Sequence, residues 1–112
     1  MVDSITNQIE RYMDLLSARQ KLVVSNIANV DTPGYKTKDI DFQFEYISML
    51  QGGAPNVIEE PGLALKSDEN NVSMDREARL LAENALRFNV ASNLMKTQLK
   101  EIESAIKEGQ TG

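Results

Sequence analysis

From Met74 to about residue 108 an apolar side chain returns every three or four positions, through Met74, Ala78, Leu81, Ala85, Phe88, Ser92, Met95, Leu99, Ile102 and Ile106. Only Ser92 in that row is polar. Steps of four and three fall on one line only in a helix, and a row this long is the seam of a coiled coil rather than the face of a short helix. Ser73 is the expected N-cap, with Asp75 and Glu77 in the first turn, where the helix dipole favours negative charge. Lys107 falls in the last turn, and Gly109 is suited to a left-handed closing residue.

A second row occupies the same helix. At ~100° per residue, Leu80, Leu86, Val90 and Leu94 gather roughly opposite the seam and leave the polar residues a narrow sector. A helix in a two-helix hairpin buries one stripe, and this one offers two. The expectation is that Leu81, Phe88, Met95, Leu99 and Ile102 pack within the chain while Leu86, Val90 and Leu94 meet neighbouring subunits, because large exposed apolar patches mark partner sites. The competing arrangement folds the middle of the chain over the second stripe.

The N-terminal part carries the partner helix. Between residue 4 and about residue 30, Ile5, Ile9, Tyr12, Leu16, Val23, Ile27 and Val30 keep helical spacing with a gap at Arg19. Leu15 and Leu22 add a second row, and Asp3 or Ser4 is the expected N-cap. Residues 31 to about 72 are punctuated by Pro33-Gly34, Gly52-Gly53, Pro55 and Pro61-Gly62. Pro33 presets the first corner of a type II turn and Gly34 accepts positive φ at the second. Asp41 to Tyr46 alternates like a strand and is equally compatible with a short helix through Met49-Leu50. The pattern predicts a mainly α fold: two long helices pairing as an antiparallel coiled coil around an irregular or small β-containing insert. The expected segments are 1–30, 31–72 and 73–112.

Composition narrows the chemistry. The chain has no Cys and no His, which removes disulfides, thiolate chemistry, structural zinc and imidazole bases. The net charge of −5 argues against nucleic acid and anionic membranes as partners, since both need clustered Lys and Arg. No run approaches a membrane span, so direct lipid insertion is not expected. Asp39, Asp41, Glu45, Glu59 and Glu60 are acid–base candidates on paper, but without a histidine, a cysteine or a glycine-rich phosphate loop they read as a solvated acidic loop. Asp68-Glu69-Asn70-Asn71 lacks the spacing of a calcium loop and reads as a linker. No enzyme, metal or cofactor is expected. The first ten residues carry neither a basic nor an apolar leader region, so any export is expected without a cleaved signal.

The run Ser25-Asn26-Ile27-Ala28-Asn29-Val30-Asp31-Thr32-Pro33-Gly34-Tyr35-Lys36 resembles the N-terminal signature of the flagellar rod and hook protein family, and Arg19-Gln20 fits the same pattern. Asn71 to Glu77 and Asn84-Ala85-Leu86-Arg87-Phe88 resemble its proximal-rod branch, with Phe88 where Tyr is expected and Ala78 where Met is common. The resemblance covers roughly residues 5–42 and 70–108. It implies terminal helices stacked into a hollow tube that transmits torque, export by the flagellar type III route, and a place in the periplasmic rod of the basal body. The implied partners are other rod subunits, the rod adaptor of the export gate and the membrane-ring protein, with self-association. The interface residues are then Ile5, Ile9, Tyr12, Leu16, Val23, Ile27, Leu81, Leu86, Phe88, Val90, Leu94, Met95, Leu99 and Ile102. The elbow motif is Asn26, Asn29, Thr32, Pro33, Gly34 and Tyr35. A coiled-coil adaptor or export chaperone forming discrete oligomers also fits the heptads and the acidic charge, but it leaves the elbow unexplained.

Overall fold

The computed structural model describes residues 2–49 and 54–111. Along the chain run α1 (Val2–Ala28), β1 (Lys38–Asp39), α2 (Phe42–Met49), β2 (Ile58–Glu59) and α3 (Met74–Thr111). Helices α1 and α3 lie antiparallel: Asn26 meets Glu77, and Gln20 meets Asn84. The molecule measures 71 × 26 × 17 Å, an elongated hairpin rather than a globule. With Gln20 opposite Asn84, the start of α1 falls beside about position 102 of α3, so the last turns of α3 run past it. The expected mainly helical fold with a small β insert is what forms.

Local chemistry sets most of the boundaries. Ser73 caps α3 as expected, its Oγ accepting from the Arg76 N–H at 3.3 Å. Asn29 closes α1 by donating from Nδ2 to the Ser25 carbonyl at 2.8 Å. Asp41 caps α2 through Oδ1, which accepts from the Phe44 N–H at 3.2 Å, so the 41–46 stretch is helical. The strands lie elsewhere, as a two-residue antiparallel pair matching Lys38 with Glu59 and Asp39 with Ile58. Two expected ends shift. Helix α1 already begins at Val2, which puts Ser4 inside its first turn, while the Asp3 side chain lies outside the described residues. Gly109 continues α3 to Thr111, since glycine accepts helical φ as readily as left-handed φ. Gly52-Gly53 and Leu50 also lie outside the described residues.

The face of α3 turned towards α1 differs from the expected seam. Leu80, placed on the far side by the sequence, is buried with 7 % of its surface exposed, together with Glu77, Asn84 and Ala91. Leu81, Phe88 and Leu99 instead stand partly in solvent, and Met95 and Ile102 are half-buried. The helix is rotated by about one residue from the phase that apolar spacing selects. Polar side chains, Glu77 and Asn84, bond across to α1 in this phase, and periodicity in hydrophobicity does not register them. On α1 the expected row is closer to what forms: Leu15, Leu16 and Val23 are buried, Ile9, Tyr12 and Ile27 half-buried, and Ile5 exposed.

Candidate assembly surface and elbow junction

Thr32-Pro33-Gly34-Tyr35 makes the expected turn. The Tyr35 N–H donates to the Thr32 carbonyl at 3.2 Å, and Gly34 sits at φ +75°, the left-handed region that glycine enters freely. Thr32 Oγ1 donates to Asn29 Oδ1 at 3.0 Å, and Pro33 is exposed at the tip. The turn is fastened from the other side of the insert. Gly34 N–H donates to the Asp68 carbonyl at 2.9 Å, and the Asn70 amide donates to the carbonyls of Asn29 and Thr32 at 2.9 and 2.8 Å.

Asn26 is the centre of the junction. It is fully buried, and its amide uses every bond it can form. Nδ2 donates to the Lys38 carbonyl at 2.8 Å and to Glu77 Oε1 at 2.7 Å. Oδ1 accepts from the Lys38 N–H at 3.0 Å and from the Tyr35 hydroxyl at 2.9 Å. The two bonds to Lys38 copy one rung of a β-ladder, which only a primary amide can do because it donates and accepts side by side. One side chain of α1 thereby holds the insert and α3 together.

Around it lies an ionic cluster that the sequence reading took for a solvated loop. Asp39 is almost fully buried and receives the Arg19 fork from Nε and Nη2, both at 3.0 Å. Arg76 reaches Asp39 at 2.5 Å, Glu77 at 2.6 Å and Glu60 at 3.1 Å. Burial pushes the Asp39 carboxyl upward, but the bonds from Arg19, the Ile40 N–H and Arg76 outweigh it and hold it below the ordinary value of 3.8. Burial likewise disfavours the Arg76 charge, and Glu77 and Asp39 more than restore it. Asn71 is no linker residue either: its Oδ1 accepts from the Thr37 N–H at 2.6 Å, deep in the same junction. Among the described residues, no buried side-chain nitrogen or oxygen lacks a hydrogen-bond partner. The density of Asn around the turn was the available signal for this cluster, since Asn pairs readily with backbone in irregular segments.

The other end of the hairpin is the opposite in character. Ile5, Ile9, Tyr12, Phe42, Tyr46, Leu86, Val90 and Leu94 line an open groove of about 850 Å³ between α1, α2 and α3. Tyr12 meets Phe42 and Tyr46 edge-on at 5.7 and 5.9 Å between ring centres, which seats α2 along one wall. The insert thus flanks the second apolar row without covering it. Leu86 is 66 % exposed, Val90 53 % and Leu94 52 %. On the other side of α3, Phe88 lines a smaller cleft with Leu16, Gln20 and Asn84. No helix among the described residues is long and apolar enough to cross a membrane.

The chain is similar to flagellar rod components. The family model described as "Flagella basal body rod protein" matches residues 13–36, the half of α1 that is buried together with the elbow turn. The flagellar basal body rod protein FlgB of Borrelia hermsii is 30% identical over 123 aligned positions, covering 87% of this chain and 91% of its own. The chain belongs to the FlgB family of flagellar basal body rod proteins. FlgB of Escherichia coli K12 is also 30% identical, over 87% of this chain and 88% of its own, and FlgB of Proteus mirabilis is 26% identical over 97% and 100%. In this FlgB-family chain the two quoted sequence blocks, Arg19 to Lys36 and Asn71 to Glu77, are one physical object. The first supplies Arg19, Asn26 and the turn, the second Asn71, Arg76 and Glu77, and the junction closes between them.

Proposed function

We propose that this FlgB-family chain is a non-enzymatic subunit that polymerises through its two helices into the wall of the flagellar rod, where the assembled tube transmits torque. The observation that carries this reading is the solvent-facing row Leu86, Val90 and Leu94 beside a groove lined by Ile5, Ile9 and Tyr12. A fully exposed Leu forgoes about 1.5–3 kcal/mol of burial, and with half or more of each of these side chains in solvent the lone chain recovers only part of it. The partly exposed Leu81, Phe88 and Leu99 extend the surface to a second side, so one helix has apolar area for more than one neighbour. Close-packed apolar seams resist shear, as a shaft requires. The partners that fit are other rod subunits and further copies, with the rod adaptor of the export gate and the membrane-ring protein at the base. Export by the flagellar type III route to the periplasmic rod, without a cleaved signal, completes the reading. The buried elbow would set where the insert leaves the tube wall.

The test is a chain carrying Leu86→Glu, Val90→Glu and Leu94→Glu in a strain lacking the native subunit. The expected result is a chain made and exported at normal levels, with no rods in basal bodies by electron microscopy and no swimming in soft agar. Normal swimming by that strain would remove the basis of the proposal.

A further inference from the structure

The stripe of α3 that faces α1 is not its most apolar one. Positions 77, 84 and 91 recur at heptad spacing and are Glu, Asn and Ala, all buried, and among the described residues of α3 Leu80 is the one large aliphatic buried beside them. The larger apolar side chains of α3 flank this stripe and stay more than a third exposed, Leu81 and Phe88 on one side and Leu86, Val90 and Leu94 on the other. Hydrophobic area therefore does not choose the face. Two polar pairs across the interface do point to one face: Asn26 Nδ2 donates to Glu77 Oε1 at 2.7 Å, and Asn84 Nδ2 donates to Gln20 Oε1 at 3.1 Å. The pairs are about two turns apart on both helices and run in opposite order, so a single antiparallel register satisfies both. A slip of one turn, or a rotation onto an apolar stripe, strands buried amides and a carboxylate without partners.

We propose that the Gln20–Asn84 pair, acting with Asn26–Glu77, is a specificity device that seats α1 on the polar stripe of α3 and so keeps the apolar stripes out of intrachain packing. A buried polar layer of this kind fixes register in coiled coils at a cost in stability. The choice of face is a property of the single chain; that the free stripes then meet other subunits rests on the assembly reading above.

The chain has no native cysteine, so introduced pairs are its only thiols. Ser17 and Asn89 line the same small cleft between α1 and α3, so Ser17→Cys with Asn89→Cys reports the native register and Ser17→Cys with Asn93→Cys a one-turn slip. In the dilute full-length chain, a short bismaleimide is expected to join the first pair at least about tenfold faster than the second. With Gln20→Leu and Asn84→Leu added, that preference is expected to fall to within about twofold while far-UV helicity persists. The exchange Gln20→Asn with Asn84→Gln, which keeps a polar pair, should restore it. A leucine pair that retains the full preference overturns the proposal. Should the leucine pair fail to fold, Asn84→Ala decides: a reduced preference supports the device and an unchanged one overturns it. The ratio is read on isolated chains, so it is independent of whether rods form.

Discussion

The two ends of the hairpin hide opposite things. At the elbow end, Asn26, Asp39, Asn70, Asn71 and Glu77 are buried, and among the described residues no buried side-chain nitrogen or oxygen is left without a partner. At the open end, Leu86, Val90 and Leu94 face solvent beside a groove that the described residues leave open. The elbow satisfies its polar groups within one molecule, whereas the open end leaves its apolar row facing solvent. Directional hydrogen bonds thus concentrate at the elbow, and under the proposed function the non-directional apolar area of the open end is what would meet other subunits.

Substitutions separate the two ends by the size of their effect on the lone chain. The largest is expected for Asp39→Ala, which leaves Arg19 and Arg76 facing each other without their shared carboxylate. A loss of about 3–5 kcal/mol in urea unfolding is expected, as for other broken buried ion pairs. The same carboxylate gives the pH dependence. Its folded pKa lies below 3.8, so its contribution is present above that value and fades as pH falls through it towards the folded value. Acid unfolding of the native chain should therefore steepen below about pH 4, and Asp39→Asn should flatten that limb.

Next comes Asn26→Ala, which orphans the Lys38 peptide, the Tyr35 hydroxyl and one oxygen of Glu77. About 2–3 kcal/mol is expected by the same denaturation, more than a single lost hydrogen bond. Gly34→Val is smaller, about 1–2 kcal/mol, because the space around the position is open and only the left-handed backbone resists. Gly34→Asn, which tolerates that backbone, should recover most of the loss by thermal melting. Smallest is Leu86→Glu, expected within about 0.5 kcal/mol of the native chain because the position is already exposed. If Leu86→Glu destabilised the isolated chain as much as Asp39→Ala, the contrast between a finished elbow and an unfinished open end would fail.

Much of the architecture was legible in the residues. Helical spacing located both long helices, Pro33-Gly34 located the turn, and Ser73 located the start of α3. The excess of apolar rows on α3 was legible too, and Leu86, Val90 and Leu94 remain uncovered. What escaped was the phase of α3 and the role of the polar residues. Leu81 and Phe88 looked like the inner seam because periodicity weighs only hydrocarbon and gives no weight to Glu77 and Asn84. Asp39 and Glu60 looked like a wet loop because nothing local shows that Arg19 and Arg76 will arrive from two distant helices.

The sequence by itself determined the two long helices, the turn and the surplus of apolar surface, since each depends on residues within a few positions of one another. Only the tertiary structure decided which stripe of α3 faces inward. That choice rests on Asn26 meeting Glu77 and Gln20 meeting Asn84, pairs separated by 51 and 64 residues, and a hydrogen bond at such range exists only once the chain has turned back on itself.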